Sequence, residues 1–89
     1  MNQGGEAVAT YLVINEHTPE ECEPMEAGLD RIPEHLRGKD FYCTCPFGKH
    51  GFYMILEGDS SEQVVQGLPN ELLIGKTRVE QLEVFRLPS

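Results

Sequence analysis

Cysteine and histidine side chains are the groups of this chain whose types and spacing could do chemistry. The 89 residues include three cysteines and three histidines. An odd number of cysteines cannot be fully paired within one chain, so we expect reduced thiols. The elements predicted below bring four of these side chains to one edge of a sheet: His17, Cys43, Cys45 and His50. Because thiolate and imidazole are the ligands that zinc and copper(I) prefer, this group is a candidate metal site.

Other interpretations of the same residues stay open. Cys43 and Cys45 lie two positions apart on a predicted strand, without the tight turn of a Cys-x-x-Cys knuckle, so buried apolar cysteines and solvated histidines are an alternative. Cys22 is expected near the same edge, but five glutamates within residues 16–26 argue against an activated thiolate there. In a small-molecule enzyme, His17 would be the acid or base, since the unperturbed pKa of imidazole is near neutrality.

A glycine-rich segment supplies the candidates for ligand binding. Lys49 and His50 lie between two glycines in residues 48–51, where backbone amides and the lysine could approach a ligand. Together with Tyr11 they form the predicted ligand-binding set. A hairpin turn explains the two glycines without any ligand.

Four strands are predicted to position these residues. Residues 7–15 are β-branched and aromatic in a run too short for an independent helix. Residues 41–45 and 52–56 predict a hairpin joined by the glycine-rich segment, and residues 77–87 predict a last strand with one bulge. If the first two strands are parallel and the third antiparallel between them, His17, Cys45 and His50 share one sheet edge.

Two helices are predicted between the strands. Residues 18–21 have the spacing of a capping box with proline at the first helical position, so the first helix begins near Thr18 and ends at Gly38. Prolines at 24 and 33 predict a kink or restart inside it. A second helix is predicted over residues 59–75. The resulting order, strand, helix, strand, strand, helix, strand, predicts an α+β, ferredoxin-like βαββαβ fold: a four-stranded antiparallel sheet with both helices on one face.

The first and third predicted strands are apolar on both faces. In the first, Leu12 and Ile14 point to one side, and Tyr11 and Val13 to the other. Two helices cover only one face of such a sheet, and an antiparallel sheet open to water normally has a polar wet side. Either tyrosine and valine side chains are solvated there, or a second copy covers them. We predict the second case, a sheet-to-sheet homodimer.

Composition limits the partners and the location. With 7 Lys and Arg against 15 Asp and Glu, the net charge is −8, which disfavours nucleic acid and anionic membrane surfaces. The sequence contains neither a secretion signal at its start nor an apolar run of about 20 residues, so we expect a cytoplasmic protein that does not bind membranes. Residues 1–6 are predicted to be a flexible N-terminus and residues 7–89 one ferredoxin-like domain.

In element order and two-sided strands, the chain resembles the dimeric α+β barrel superfamily. A local likeness lies directly after the first strand, where His17-Thr18-Pro19-Glu20-Glu21-Cys22 is similar to an opening found in small uncharacterised proteins of this kind. The resemblance implies two ferredoxin-like subunits packed sheet against sheet. Members include monooxygenases, isomerases, haem proteins and ligand-sensing domains, so the fold does not select a chemistry.

Three functions therefore stay open. The first is a homodimer that binds or transforms a small molecule in a pocket between sheet and helices, with His17 at its mouth. The second is a Cys/His module that binds zinc or copper, or senses oxidation through its thiols; no other cofactor is expected. The third is a protein-interaction domain that docks a basic partner on its acidic helix face.

Overall fold

The fold is described for residues 8–88 of a computed structural model. The predicted flexible N-terminus, residues 1–6, lies outside the described residues. The helices and strands are β1 (Ala9–Glu16), α1 (Pro19–Ala27), β2 (Tyr42–Cys43), β3 (Gly51–Gly58), α2 (Ser61–Gln66) and β4 (Lys76–Leu82). All strand pairs are antiparallel and the sheet order is β2-β3-β1-β4. The predicted α+β architecture with a four-stranded antiparallel sheet is confirmed, and it is compatible with a ferredoxin-like fold.

One face of the sheet forms the core together with both helices. On β1 this face carries Tyr11 and Val13, and on β3 it carries the alternate apolar residues that begin at Phe52. Each helix contributes one buried side chain to this cluster, Met25 from α1 and Val64 from α2. Two-residue alternation along the strands defines the two faces, but the assignment of those faces was wrong: Tyr11 and Val13, expected on the face that a second copy covers, lie beneath the helices.

Both helices are shorter than predicted. α1 continues past Pro24 but ends at Ala27, and two 3₁₀ turns follow at Leu29–Arg31 and Glu34–Leu36. Pro33 lacks an amide donor and its ring would clash with a preceding helical turn, which disfavours helix there, and Ile32 and Pro33 are extended. The 3₁₀ turns still bring the predicted apolar positions to the core, where Leu36 is buried. α2 likewise ends at Gln66, and a 3₁₀ turn at Asn70–Leu73 completes its packing.

Two strands also end earlier than predicted. β2 has only two residues, because the chain after Thr44 turns into a 3₁₀ segment, Cys45–Phe47. Cys45 therefore lies in a turn, not beside Cys43 on one face of an extended strand. β4 ends at Leu82, and residues 83–88 are not part of the sheet.

The second face of the sheet is apolar at its centre. Leu12 of β1 lies opposite Ile55 of β3, and Ile14 lies opposite Tyr53. Ile55 is 48% exposed, and Tyr42, opposite Tyr53 on β2, is 52% exposed. Both helices pack on the other face, so the predicted two-sided character of the strands is present. Between residues 8 and 88, none of the helices has the length and apolar character needed to cross a membrane.

Candidate metal centre

Two histidines are brought together where β1 ends and β3 begins. Glu16, the last residue of β1, is paired with Gly51, the first residue of β3. His17 and His50 extend this ladder by one step, with the His17 amide donating to the His50 carbonyl oxygen at 3.1 Å. A side chain at position 51 would overlap the carbonyl oxygen of Asn15, so glycine allows this close approach. The two imidazole rings lie with their centroids 5.9 Å apart.

Two cysteines reach the same place from the helix and from the hairpin turn. Cys22 lies in the first half of α1, whose start is capped by Glu21 Oε1 accepting from the Thr18 amide at 2.8 Å. Cys45 begins the 3₁₀ turn, which is held to β3 by the Thr44 amide donating to the Gly51 carbonyl at 3.1 Å. Four donor atoms, one from each residue, lie within 4.8 Å of one another: His17, Cys22, Cys45 and His50. We call these four residues the donor cluster.

The spacing of the donor cluster is close to that of a tetrahedral site. Cys45 Sγ lies 3.4 Å from His17 Nε2. With zinc-to-sulfur and zinc-to-nitrogen distances of about 2.3 and 2.0 Å, a tetrahedron has nitrogen-to-sulfur edges of about 3.5 Å. No donor pair is wider than 4.8 Å. Side-chain rotations that move these donor atoms by about 1 Å would therefore complete a four-coordinate shell.

Asn15 fixes which nitrogen of His17 faces the cluster. Its amide nitrogen donates to the Ile74 carbonyl oxygen at 2.7 Å and to Thr77 Oγ1 at 2.9 Å, so its carbonyl oxygen must point the other way. That oxygen lies 2.7 Å from His17 Nδ1 and can only accept a hydrogen bond. His17 Nδ1 therefore carries the proton, and the lone pair of Nε2 faces Cys45. Metal-binding histidines are commonly held through their other nitrogen in this way.

His50 has a ring nitrogen in an unusual state. Its Nδ1 is fully buried and has no hydrogen-bond partner among residues 8–88. A buried polar atom without a partner loses its hydration without compensation, which costs on the order of 1–3 kcal/mol. An unpartnered nitrogen on a residue of the donor cluster calls for an explanation, and a metal ion bound by that residue is one.

Burial favours the neutral form of His17, and carboxylates nearby make its surroundings negatively charged. Burial lowers the pKa of His17 below its ordinary value of 6.5, and the neighbouring His50 lowers it further, while Glu21 and Glu26 act in the opposite direction. The imidazole is therefore neutral near pH 7, the form that binds metal. The same carboxylates attract a cation.

Cys43 stands apart from the donor cluster. Burial raises the pKa of its thiol; the Cys45 backbone lowers this pKa and the Cys45 side chain raises it, with the net shift upward. Cys43 therefore stays protonated at neutral pH, which disfavours it as a ligand. Its sulfur lines a cavity of about 220 Å³ between α1 and the sheet, together with apolar side chains from both: Met25, Leu29, Phe41 and Phe52. His17, Cys22 and Cys45 form the polar end of the same wall.

The predicted site residues thus have different positions. The structure brings His17, Cys45 and His50 together and adds Cys22 in the place where Cys43 was expected. The signal for Cys22 is a mirrored spacing, His-x4-Cys at 17 and 22 and Cys-x4-His at 45 and 50. Lys49 is exposed in the turn. Tyr11 is buried in the core, about 20 Å along β1 from His17.

Comparison with protein-family models, with curated proteins and with solved structures finds no match for this chain. The chemistry available to the donor cluster is therefore inferred from its atoms. Two sulfurs and two imidazole nitrogens fill a tetrahedral shell and leave no open position for substrate. Such a shell suits a structural or regulatory metal ion better than a hydrolytic one.

Proposed function

We propose that this protein binds one zinc ion through the donor cluster. The observation that carries the proposal is the convergence of four zinc-type donor atoms, all within 4.8 Å, from two separate parts of the chain. A second observation supports it: one of the four residues, His50, has a buried ring nitrogen, Nδ1, without a partner in the described structure. Zinc is preferred to magnesium or calcium because sulfur and nitrogen, not oxygen, surround the site.

The metal would connect α1 to the sheet. Met25 is the only residue of α1 that is buried, and a cavity of about 220 Å³ separates the helix from β3. Cys22 is on this helix, whereas the other three donors are at the ends of β1 and β3 and in the turn between β2 and β3. Coordination would therefore hold α1 against the sheet where apolar contact is sparse. In a domain of this size, a metal ion compensates for a small core.

Metal analysis tests this proposal directly. Protein purified without chelator is expected to contain about one zinc per chain, and cobalt(II) added to the metal-free protein is expected to give the absorption of a tetrahedral site with two thiolate ligands. Cys45→Ser should lose the zinc, while Cys43→Ser, two positions away and outside the donor cluster, should retain it. If the protein contains stoichiometric copper(I) instead of zinc, the metal site is supported but the proposed ion is wrong. No bound metal, or equal loss in both variants, would refute the site.

We also propose that the second face of the sheet is covered by a second copy of this chain. A homodimer is supported by Ile55 and Tyr42, which are about half exposed on this face. Leu12 and Ile14 make its centre apolar, while Arg78 and Glu80 of β4 make one side of it charged. A two-fold axis would bring the same surface of both copies into contact. Sedimentation analysis is expected to give a dimer that Ile55→Glu converts to a monomer. Phe47→Glu, at an exposed phenylalanine in the turn that follows β2, should leave the dimer intact.

A further inference from the structure

A thiol, an imidazole and an amide form a chain of two successive contacts that starts in the donor cluster and ends beside it. Cys45 Sγ is 3.4 Å from His17 Nε2, and His17 Nδ1 is 2.7 Å from Asn15 Oδ1. This is the arrangement of a nucleophile, its base and the group that orients the base. We propose that in the metal-free protein Cys45 is a nucleophile that accepts an acyl group from a small uncharged ester, with His17 as general base and Asn15 as positioning residue.

The positions of His17 and Asn15 are held before any substrate binds. Asn15 is 1% exposed, and its amide is anchored to the Ile74 carbonyl and the Thr77 hydroxyl. Its carbonyl oxygen therefore keeps the proton of His17 on Nδ1 and leaves Nε2 free to accept the proton of the Cys45 thiol. A base held in the correct tautomer next to a thiol is the feature that distinguishes a catalytic pair from a chance contact.

The cavity beside Cys45 indicates the class of acyl group. It has a volume of about 220 Å³ and an apolar lining, with Cys45 and His17 in its wall. A cavity of about 150 Å³ accommodates benzene, so this one fits an acyl group of about six to eight heavy atoms. The one charged residue in the wall is Glu26. Its carboxylate would repel an anionic acyl group, so an uncharged acyl group such as hexanoyl or benzoyl is expected.

The acyl transfer can be written with the residues in place. The Cys45 proton moves to His17 Nε2 as the sulfur attacks the ester carbonyl carbon. The tetrahedral oxyanion collapses, the carbon–oxygen bond to the leaving group breaks, and the alcohol departs with the proton from His17. The Cys45 thioester is then hydrolysed by water that gives its proton to His17, which releases the carboxylic acid and restores the thiol.

Metal and ester would compete for the same atoms. Zinc takes up the sulfur of Cys45 and the lone pair of His17 Nε2, which are the groups that the acyl transfer needs. The nucleophile is therefore available only in the metal-free protein. The acylation does not depend on the proposed metal function, because it uses Cys45, His17 and Asn15 without an ion.

Mass spectrometry of chelator-treated protein with p-nitrophenyl hexanoate tests the proposal. The expected result is one hexanoyl group on Cys45, formed at least about tenfold faster than adducts on Cys22 and Cys43 of the same molecules. His17→Gln should slow acylation of Cys45 by about 100-fold, and imidazole added to His17→Gly should restore part of the rate. His35→Gln, which changes a histidine outside the donor cluster, should leave the rate unchanged.

Asn15 and the ester charge supply two independent checks. Asn15→Leu should lower the ratio of Cys45 to Cys43 acylation within one molecule, a ratio that a general loss of stability would not lower. p-Nitrophenyl succinate, whose acyl group is anionic, should react more slowly than the hexanoate. Equal labelling of the three cysteines, or an unchanged rate in folded His17→Gln, would overturn the proposal. Zinc binding is measured separately, so loss of either activity is distinguished from loss of the other.

Discussion

The polar side chains at the two ends of β3 differ in whether their atoms have hydrogen-bond partners. At the Gly58 end, the Gln63 amide donates to Ser60 Oγ at 3.1 Å, and Gln63 Oε1 accepts from the Asp59 amide at 2.7 Å. His35 Nε2 donates to the Gly67 carbonyl oxygen at 2.8 Å. We call this the capping end. At the Gly51 end, which carries the donor cluster, two sulfurs and a ring nitrogen of His50 lie together, and His50 Nδ1 has no hydrogen-bond partner in the part of the chain that the structure describes.

This difference separates structural from functional polar residues. At the capping end, polar atoms complete the backbone hydrogen bonds that start and end α2. At the cluster end, His17 is held by Asn15 while sulfur and nitrogen atoms are left facing one another. Residue type does not distinguish the two, since His35 and His50 are both histidines. What distinguishes them is whether a side-chain atom already has a partner.

The largest effect expected to separate the two ends of β3 is stabilisation of the folded protein by zinc. A ligand present at about 1,000 times its Kd stabilises the folded state by about 4 kcal/mol. For a domain of this size we therefore expect Tm to rise by about 15–30 °C when zinc is added to the metal-free protein. Calorimetric or fluorescence melting measures the shift.

Matched substitutions assign that shift to one end of β3. His50→Gln should abolish it, and His35→Gln should preserve it, although both replace a histidine by the same residue. A shift that survives His50→Gln, or that is lost with His35→Gln, would contradict the comparison.

The next effect is a loss of stability confined to the capping end. Leu68 follows α2 and is 6% exposed in the core. Replacing a buried leucine by alanine costs about 3 kcal/mol, the removed side chain plus the cavity that it leaves. Leu68→Ala should lower the free energy of unfolding of the metal-free protein by this amount in urea. Zinc affinity, measured by competition with a chelator in the folded protein, should stay the same. A large loss of affinity would show that the two ends are coupled.

Most of the sheet could be predicted from the sequence because β1 and β3 are short runs rich in β-branched and aromatic residues. Both runs are apolar on both sides, so the sequence did not show which face the helices cover. Helix lengths could not be predicted in the same way. A stripe of apolar residues at helical spacing fits a helix, but two 3₁₀ turns place Leu29 and Leu36 against the core equally well after α1 has ended.

The location of the donor cluster could be predicted from the sequence, but not all of its residues could. The ends of β1 and β3 meet by topology, which brings His17 and His50 together. The sequence pattern places Cys43 and Cys45 on one strand, whereas the strand ends at Cys43 and Cys45 begins a 3₁₀ turn that contains Pro46. The role of Asn15 follows only from atoms 59 and 62 residues away, the Ile74 carbonyl and the Thr77 hydroxyl, which no local pattern connects to it.

A smaller effect tests how the cluster end is held. Asn15→Leu removes the acceptor for His17 Nδ1, and the loss of such a supporting contact typically lowers metal affinity by about 10–100-fold. Thr77→Val removes only one acceptor of the Asn15 amide and is expected to lower zinc affinity less. Both affinities are measured by chelator competition on protein shown to be folded by circular dichroism. If Thr77→Val reduced affinity as much as Asn15→Leu, the hydrogen bond to His17 would not be the contact that matters.

The smallest effect is a pH dependence of the metal-free protein that comes from the cluster end. Burial, with a contribution from His50, lowers the pKa of folded His17 below 6.5, its ordinary value in an unfolded chain. Above that pH both states are neutral at this residue and it contributes no pH dependence. As the pH falls through 6.5, the unfolded chain binds the proton first, so stability decreases until the folded-state pKa is passed. Urea denaturation between about pH 7.5 and 5.5 should therefore show a steeper loss in the wild type than in His17→Gln. Parallel curves would mean that burial of His17 does not influence folding.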